Sequence, residues 1–273
     1  MSKVDHGERR SRLRLEHGEL SFLHAGRGAP VVLFHGLNGN AESWRYQLHD
    51  LAGELEMWAW DAPGYGDSDI AGETLDDLAR VAIEFIKRIA PGPVNLVGHS
   101  MGGLVAMRVA MLEPGLVQRL VLSCTHPGHG LSGAAASDQR YQRRLRELQE
   151  LPGPVYGERR ARGMLPANAD PAVFREVARI AAQSRPEGMG RAALAIQRAS
   201  LQAELSRILA PSLVITGDQD RVAPLSKAEP LLNGIADVRH VALDGLGHAP
   251  YMEDRRRYNA ALTDFLLRRD ASG

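Results

Sequence analysis

The chain has little lysine and almost no cysteine: three lysines and one cysteine in 273 residues. One cysteine excludes an internal disulfide. That residue, Cys124, ends the apolar run 120–124 and reads as a small buried hydrophobe rather than a reactive thiol. No apolar run approaches the roughly 18 residues that span a bilayer, so no membrane helix is expected. The first 15 residues are polar and rich in arginine. They lack the apolar core of about 7–15 residues that marks a secretory leader, and the expectation is a cytoplasmic protein. Charge of one sign is also missing, with 33 basic against 33 acidic residues. That balance argues against nucleic acid or a membrane surface as a partner. No two histidines have metal-ligand spacing with a matching carboxylate, so neither a metal nor another cofactor is expected. Internal repeats and low-complexity tracts are absent too. Self-association is left open.

What is present is ordinary for a globular chain, with 44% hydrophobic and 24% charged residues. The length suits one large domain, or a core carrying an insertion. Short apolar runs at 31–34, 57–60, 94–97, 120–123, 213–216 and 238–243 predict strands, most of them buried on both faces. A hairpin closed by Gly18 is expected from 12–17 and 20–25. Helical patterns at 41–52, 75–90, 100–112, 225–233 and 254–268 separate the strands. Alternation of this kind predicts βαβ units and a doubly wound, mostly parallel sheet, the α/β class. It breaks between 126 and 207, where four helical patterns follow one another (138–151, 155–164, 171–183, 188–199). The expected organisation is a core of 1–125 and 208–273 with a helical lid, 126–207, inserted between two strands.

Gly98-His99-Ser100-Met101-Gly102 carries the pattern G-x-S-x-G between an apolar strand and an amphipathic helix. A serine there sits on a tight strand-to-helix turn, which demands small neighbours. The helix N-terminus adds free N–H groups where an oxyanion would form. The competing reading is a serine that merely caps the helix. A serine hydroxyl needs a base, and His248, in a glycine-flanked loop after the last strand, is the candidate among ten histidines. His99 is expected to point away beneath the turn, and His35 to organise the loop after its strand. His6, His17, His24, His49 and His240 read as surface or strand positions. The base needs a carboxylate to hold its tautomer. Asp218 and Asp220 both follow the strand 213–216; Asp220 is favoured, with Asp218 as a turn former. A second oxyanion donor should come from His35-Gly36-Leu37-Asn38, giving the backbone N–H groups of Leu37 and Met101 as the pair.

Five pieces in order resemble the α/β-hydrolase superfamily: His35-Gly36, the run from Asp61 to Asp69 (DAPGYGDSD), the turn from Gly98 to Gly103, Gly217 to Asp220, and Gly247-His248. The resemblance implies Ser100 as nucleophile, Asp220 as acid, His248 as base, and Leu37 and Met101 as oxyanion donors. It treats the Asp61 run as a structural turn. Arg185-Pro186-Glu187-Gly188 and Leu122-Ser123-Cys124-Thr125 look like 3-oxoadipate enol-lactonases and related esterases. C–C hydrolases of ring-cleavage products are neighbours whose glycine-rich oxyanion loop is only partly matched. Haloalkane dehalogenases and epoxide hydrolases need an aspartate at position 100. The expected activity is therefore hydrolysis of a small carboxylic ester or lactone. A C–C hydrolase or a slow-turnover ligand receptor of the same fold is the alternative. Trp44 and His126 are candidates for the substrate pocket, although Trp44 could equally anchor its own helix. The segment 126–207 holds 13 arginines against eight acidic residues. That excess reads as solvated helix faces or as a preference for an anionic substrate.

Overall fold

In the computed structural model, which describes residues 9–133 and 139–268, the apolar runs form the strands expected of them. Along the chain come β1 (Arg9–Leu15), β2 (Gly18–Gly26), β3 (Ala29–Phe34), α1 (Arg45–Asp50), β4 (Leu55–Trp60), α2 (Leu75–Ile89), β5 (Val94–His99), α3 (Met101–Leu112) and β6 (Val117–Ser123). Four helices follow: α4 (Gln139–Glu150), α5 (Gly153–Met164), α6 (Pro171–Ala181) and α7 (Pro186–Arg198). Then come β7 (Ser212–Gly217), α8 (Leu225–Gly234), β8 (Val238–Leu243), α9 (Pro250–Glu253) and α10 (Arg255–Leu266). The eight strands make one sheet in the order β1-β2-β4-β3-β5-β6-β7-β8. β2 pairs antiparallel with both β1 and β4, and every other pairing is parallel. This is the α/β-hydrolase fold.

Residues in β3, β5 and β7 are buried on both faces because helices cover both sides of the sheet. One face packs on α2, α3 and α8 through residues such as Phe85, Val105 and Leu231. The other packs on α1 and α10 through Leu48, Tyr258 and Leu262. Phe34 and Trp60 meet edge to face, 4.7 Å apart, at the centre of the first layer. Each large side chain so buried contributes about 1.5–3 kcal/mol. α2 begins with a reciprocal cap: Thr74 Oγ1 accepts from Asp77 N–H, and Asp77 Oδ2 accepts from Thr74 N–H, both at 3.1 Å. At the sheet edge, β1 carries four arginines, all of them exposed charges that discourage further strand pairing.

Several boundaries differ from the sequence reading. The hairpin turns on Glu16 and His17, and Gly18, at φ +137°, is the first residue of β2 opposite Leu15. The pattern at 41–52 divides into a single 3-10 turn, Ala41–Trp44, and the short α1, because Asn40 caps the turn tightly through Glu42 N–H and Ser43. α9 was hidden in the loop before the last helix. β8 is largely exposed, as an edge strand can be. The expected helix start at Asp138 and the surface position His6 lie outside the described residues.

The segment between β6 and β7 contains no strand among the described residues, only an isolated bridge between Gly128 and Ser200. α5 and α6 form a close hairpin: a Cβ on Gly157 would overlap the Ala178 carbonyl. Arg45 binds Glu176 at 2.5 Å, Arg179 binds Glu42 at 2.7 Å, and Asn40 donates to Gln183 at 2.6 Å. These contacts fix the hairpin to the loop and helix after β3. α7 docks through Gly188 against Gly64, and Arg185 donates to the Ser68 carbonyl at 2.7 Å. No helix among the described residues is long and apolar enough to cross a membrane.

Candidate active site

The parallel strands β3, β5, β6 and β7 lie side by side, so the loops at their carboxyl ends converge. Ser100 follows β5 with φ +51° and ψ −114°, a left-handed backbone that an L residue rarely adopts. Three hydrogen bonds hold it there. Ser100 N–H donates to Ser123 O (2.9 Å), Gly103 N–H donates to Ser100 O (2.9 Å), and Thr125 Oγ1 donates to Ser100 O (2.6 Å). The helix then leaves the strand so closely that a Cβ on Gly98 or Gly102 would overlap the carbonyls of Gly102 or Phe34. Although Ser100 stands at the N-cap position of α3, its side chain makes no cap bond. Its Oγ lies 3.1 Å from His248 Nε2 instead.

His248 sits in the loop after β8, 4% exposed. Its Nδ1 is 2.8 Å from Asp220 Oδ2. A carboxylate only accepts, so Nδ1 carries the proton and Nε2 is left as the acceptor for the serine hydroxyl. Asp220 Oδ1 takes the N–H groups of Val222 (2.7 Å) and Ala223 (2.9 Å). Burial alone would raise this carboxyl; the bonds from His248, Ala223 and Val222 outweigh it and hold it below the usual range. Asp218 is exposed and accepts from Gly245 N–H at 2.6 Å, tying the β7 and β8 loops together. The geometry thus separates the two aspartates that the sequence left in competition.

All three peptide N–H groups around the base are fixed. Gly247 and Ala249 donate to the two oxygens of Glu253 at 2.8 and 2.9 Å, and His248 donates to Met164 O at 2.8 Å. Glu253, which the sequence reading passed over, holds the peptides on either side of His248. Its signal was Pro250 at the first turn of a helix followed by an acid, a common helix-start pattern. Burial raises its carboxyl above the ordinary range. Met164 ends α5, so the helical segment touches the base loop directly. Arg221, next to Asp220, donates to Leu165 O at 2.9 Å and continues that contact.

The loop after β3 is held from inside. His35 Nδ1 donates to Gly36 O (2.8 Å), its Nε2 accepts from Ala62 N–H (3.0 Å), and burial keeps the ring neutral by lowering its pKa. Tyr65 Oη donates to Leu37 O at 3.0 Å. A Cβ at Gly36 would come within 2.9 Å of His99 and 3.2 Å of Ser100, so the loop can lie against the serine only as glycine. Leu37 lines a cavity of about 250 Å³ that opens on Ser100 and His248. Met101 is the first residue of α3, where N–H groups have no partner within the helix.

His126 also lines this cavity, with its ring 4.5 Å from that of His129. Burial first, then the charges of His129 and Lys227, push it down to about 4. Two expectations are corrected. Trp44 does not reach the cavity: it is fully buried, 5.0 Å from the ring of Tyr251, because the 3-10 turn directs it into the layer beneath α10. It anchors its own turn. His99 does not point away from the site: it lies under His248, ring centroids 4.8 Å apart, and beside Tyr251, also at 4.8 Å. Burial lowers its pKa well below the ordinary value, so a neutral ring packs beneath His248.

One group of potential metal donors exists among the described residues, Cys124, Asp220 and His248, with ligand atoms within 4.8 Å of one another. Asp220 and His248 already use these atoms on each other. The Cys124 thiol is buried, raised by that burial, and directed at Gly247 O (3.9 Å).

Residues 31–261 match the family model described as alpha/beta hydrolase family. A protein from Variovorax paradoxus (strain S110), provisionally named carbamate hydrolase RutD, is 33% identical over 257 residues, 90% of this chain and 94% of that one. Among solved structures, a thermophilic esterase from Thermogutta terrifontis superposes with a TM-score of 0.85 at 26% identity, covering 95% of this chain and 98% of its own. The enol-lactonase from Burkholderia xenovorans LB400 gives a TM-score of 0.84 at 21% identity, covering 94% of this chain and 100% of its own, a likeness of fold.

Proposed function

The chain belongs to the alpha/beta hydrolase family, and from that premise we propose that it is a serine hydrolase cleaving a small carboxylic ester or lactone through an acyl-enzyme on Ser100. The observation that carries this reading is the continuous path Asp220–His248–Ser100, at 2.8 and 3.1 Å, opening into a cavity. Ser100 Oγ attacks the carbonyl carbon while His248 Nε2 takes its proton. Asp220 stabilises the resulting imidazolium and stays ionised. Negative charge gathers on the carbonyl oxygen, received by the N–H groups of Leu37 and Met101, each donor contributing about 10²–10³ in rate. The leaving group departs with the proton from His248, and water, activated by the same histidine, releases the acid. Residues 126–207 act in this reading as a lid whose α5 end bears on the base loop.

A carbamate, the substrate class in the name of the Variovorax relative, presents the same carbonyl, so a test panel should include one beside aryl esters, lactones and a vinylogous diketone. The primary test is hydrolysis of p-nitrophenyl acetate. Turnover is expected in the wild type and a loss of about 10⁴-fold or more in Ser100→Ala. Undiminished hydrolysis by Ser100→Ala would remove Ser100 from the mechanism.

A further inference from the structure

Among the described residues, two that are not glycine have a positive φ: Ser100 at +51° and Cys124 at +47°. The first is the turn that presents the nucleophile. The second follows β6, fully buried, and acyl transfer gives it no task. Strain of this kind persists only where the surroundings impose it. Cys124 N–H donates to Ile215 O at 2.8 Å, which fixes the turn to β7. The next residue, Thr125, is buried too, and its Oγ1 donates to the Ser100 carbonyl at 2.6 Å. Gly103 leaves it room: a Cβ there would come within 2.5 Å of Thr125 Oγ1 and 2.6 Å of its methyl carbon. A strained backbone, a missing Cβ and a short hydrogen bond thus converge on one oxygen.

That oxygen belongs to the peptide group whose N–H is that of Met101. A peptide group is planar and trans, so fixing its oxygen fixes the direction of its N–H, which points the opposite way. The Ser100 carbonyl has two lone pairs; Gly103 N–H takes one at 2.9 Å and Thr125 the other. The loop after β3 repeats the arrangement. The Gly36 carbonyl, on the peptide that ends in Leu37 N–H, accepts from Gly39 N–H at 2.9 Å and from His35 Nδ1 at 2.8 Å. Each proposed oxyanion donor is therefore held from behind by one backbone and one side-chain donor. In a site of low dielectric, a carbonyl that accepts hydrogen bonds also makes its own N–H a stronger donor.

We propose that Thr125 is a positioning residue for oxyanion stabilisation: through the Ser100 carbonyl, its hydroxyl sets the direction and donor strength of the Met101 N–H. This rests on the acyl-transfer reading above and adds a residue to it. Thr125 does not line the cavity, so its effect reaches the substrate only through this peptide.

The test compares p-nitrophenyl acetate with O-p-nitrophenyl thionoacetate, in which sulfur replaces the carbonyl oxygen. Sulfur is a weak acceptor, so the thiono ester gains little from the two N–H donors. The ratio of kcat/KM values, oxygen over thiono, reads the donors and cancels a misplaced Ser100 or His248, which slows both esters. The wild type should favour the oxygen ester by about 10²-fold or more. Thr125→Val keeps the shape and removes the hydroxyl; it should lower the ratio by about tenfold, the worth of one hydrogen bond, through kcat rather than KM. Thr125→Ser should restore it. Thr263→Val, which deletes a hydroxyl bonded to the Asn259 carbonyl in α10 at 3.1 Å, should leave it unchanged. A ratio unmoved by Thr125→Val overturns the assignment, whether or not both rates fall. Should that variant fail to fold, Thr125→Ala is measured against Thr125→Ser, and an equal ratio in the two overturns it. Hydrolysis of neither ester by the wild type would instead defeat the underlying hydrolase reading.

Discussion

The carboxyl edge of the sheet and the helical segment above it contribute to one cavity under different constraints. At the sheet edge the groups around Ser100 and His248 are held by specific hydrogen bonds. Ser100 is strained and held by three hydrogen bonds, Asp220 accepts three, and the N–H groups of residues 247–249 each have a named acceptor. In the segment 126–207 the fixed points are scattered: the α5–α6 hairpin is tied down by Arg45, Arg179, Asn40 and Met164, and α7 by Gly188 and Arg185. The difference separates an edge held bond by bond around Ser100 and His248 from a segment held at points spread along its helices.

Exchanges at the sheet edge should therefore have the largest effects. Asp220→Asn should lower kcat by about 10⁴-fold, since the amide cannot hold His248 in the tautomer that accepts from serine. Asp218→Asn should change it by less than about threefold. Steady-state rates on p-nitrophenyl acetate check this, and the reverse order would move the acid to Asp218.

The entrance to the helical segment should respond through stability rather than rate. His126 is half-buried and its pKa is pushed down to about 4, desolvation being the largest cause. Below its ordinary value of about 6.5, the unfolded chain binds a proton that the folded one refuses, so folding stability falls as pH drops from about 6.5 toward 4. His35 and His99, also lowered by burial, add to the same trend. His126→Gln should remove about 2–3 kcal/mol of the loss between pH 7 and pH 4.5, measured by urea unfolding at both values. An unchanged pH slope would contradict the neutral state of His126.

The smallest effect sharpens the boundary between the two regions. Glu253 is not among the residues that line the cavity, but its two oxygens fix the peptides on either side of His248. Glu253→Gln offers one acceptor where two are needed, leaving one N–H unsatisfied at a cost of about 1–3 kcal/mol. We expect about a tenfold fall in kcat with little change in KM, because the base is displaced and the cavity is not. A change confined to KM would show that Glu253 shapes the pocket.

Much of this contrast could be read from the chain itself. Strands β3, β5 and β7 announced themselves as short apolar runs because both their faces are covered, and the turn after β5 because its crowding admits only glycine two residues before and two residues after Ser100. The helical segment was visible as helices but not as a surface: thirteen arginines on amphipathic helices look alike until the packing of α4 on α7 and of α5 on α6 decides which face the cavity. The directions of Trp44 and His99 were not legible for a related reason. Their directions depend on a tight Asn40 cap and on a ring stacked beneath His248, neither of which has a period in the sequence. Glu253 was concealed by an ordinary helix-start pattern whose second purpose exists only in three dimensions.

The central claim is that Ser100 is the nucleophile. Treating the protein with a p-nitrophenyl alkylphosphonate and digesting it for mass spectrometry tests this directly. Activity should be lost in step with one phosphonyl adduct on the peptide containing Ser100, and no adduct should form there in His248→Ala. Full inactivation with that peptide unmodified, or an adduct on another residue, would contradict it.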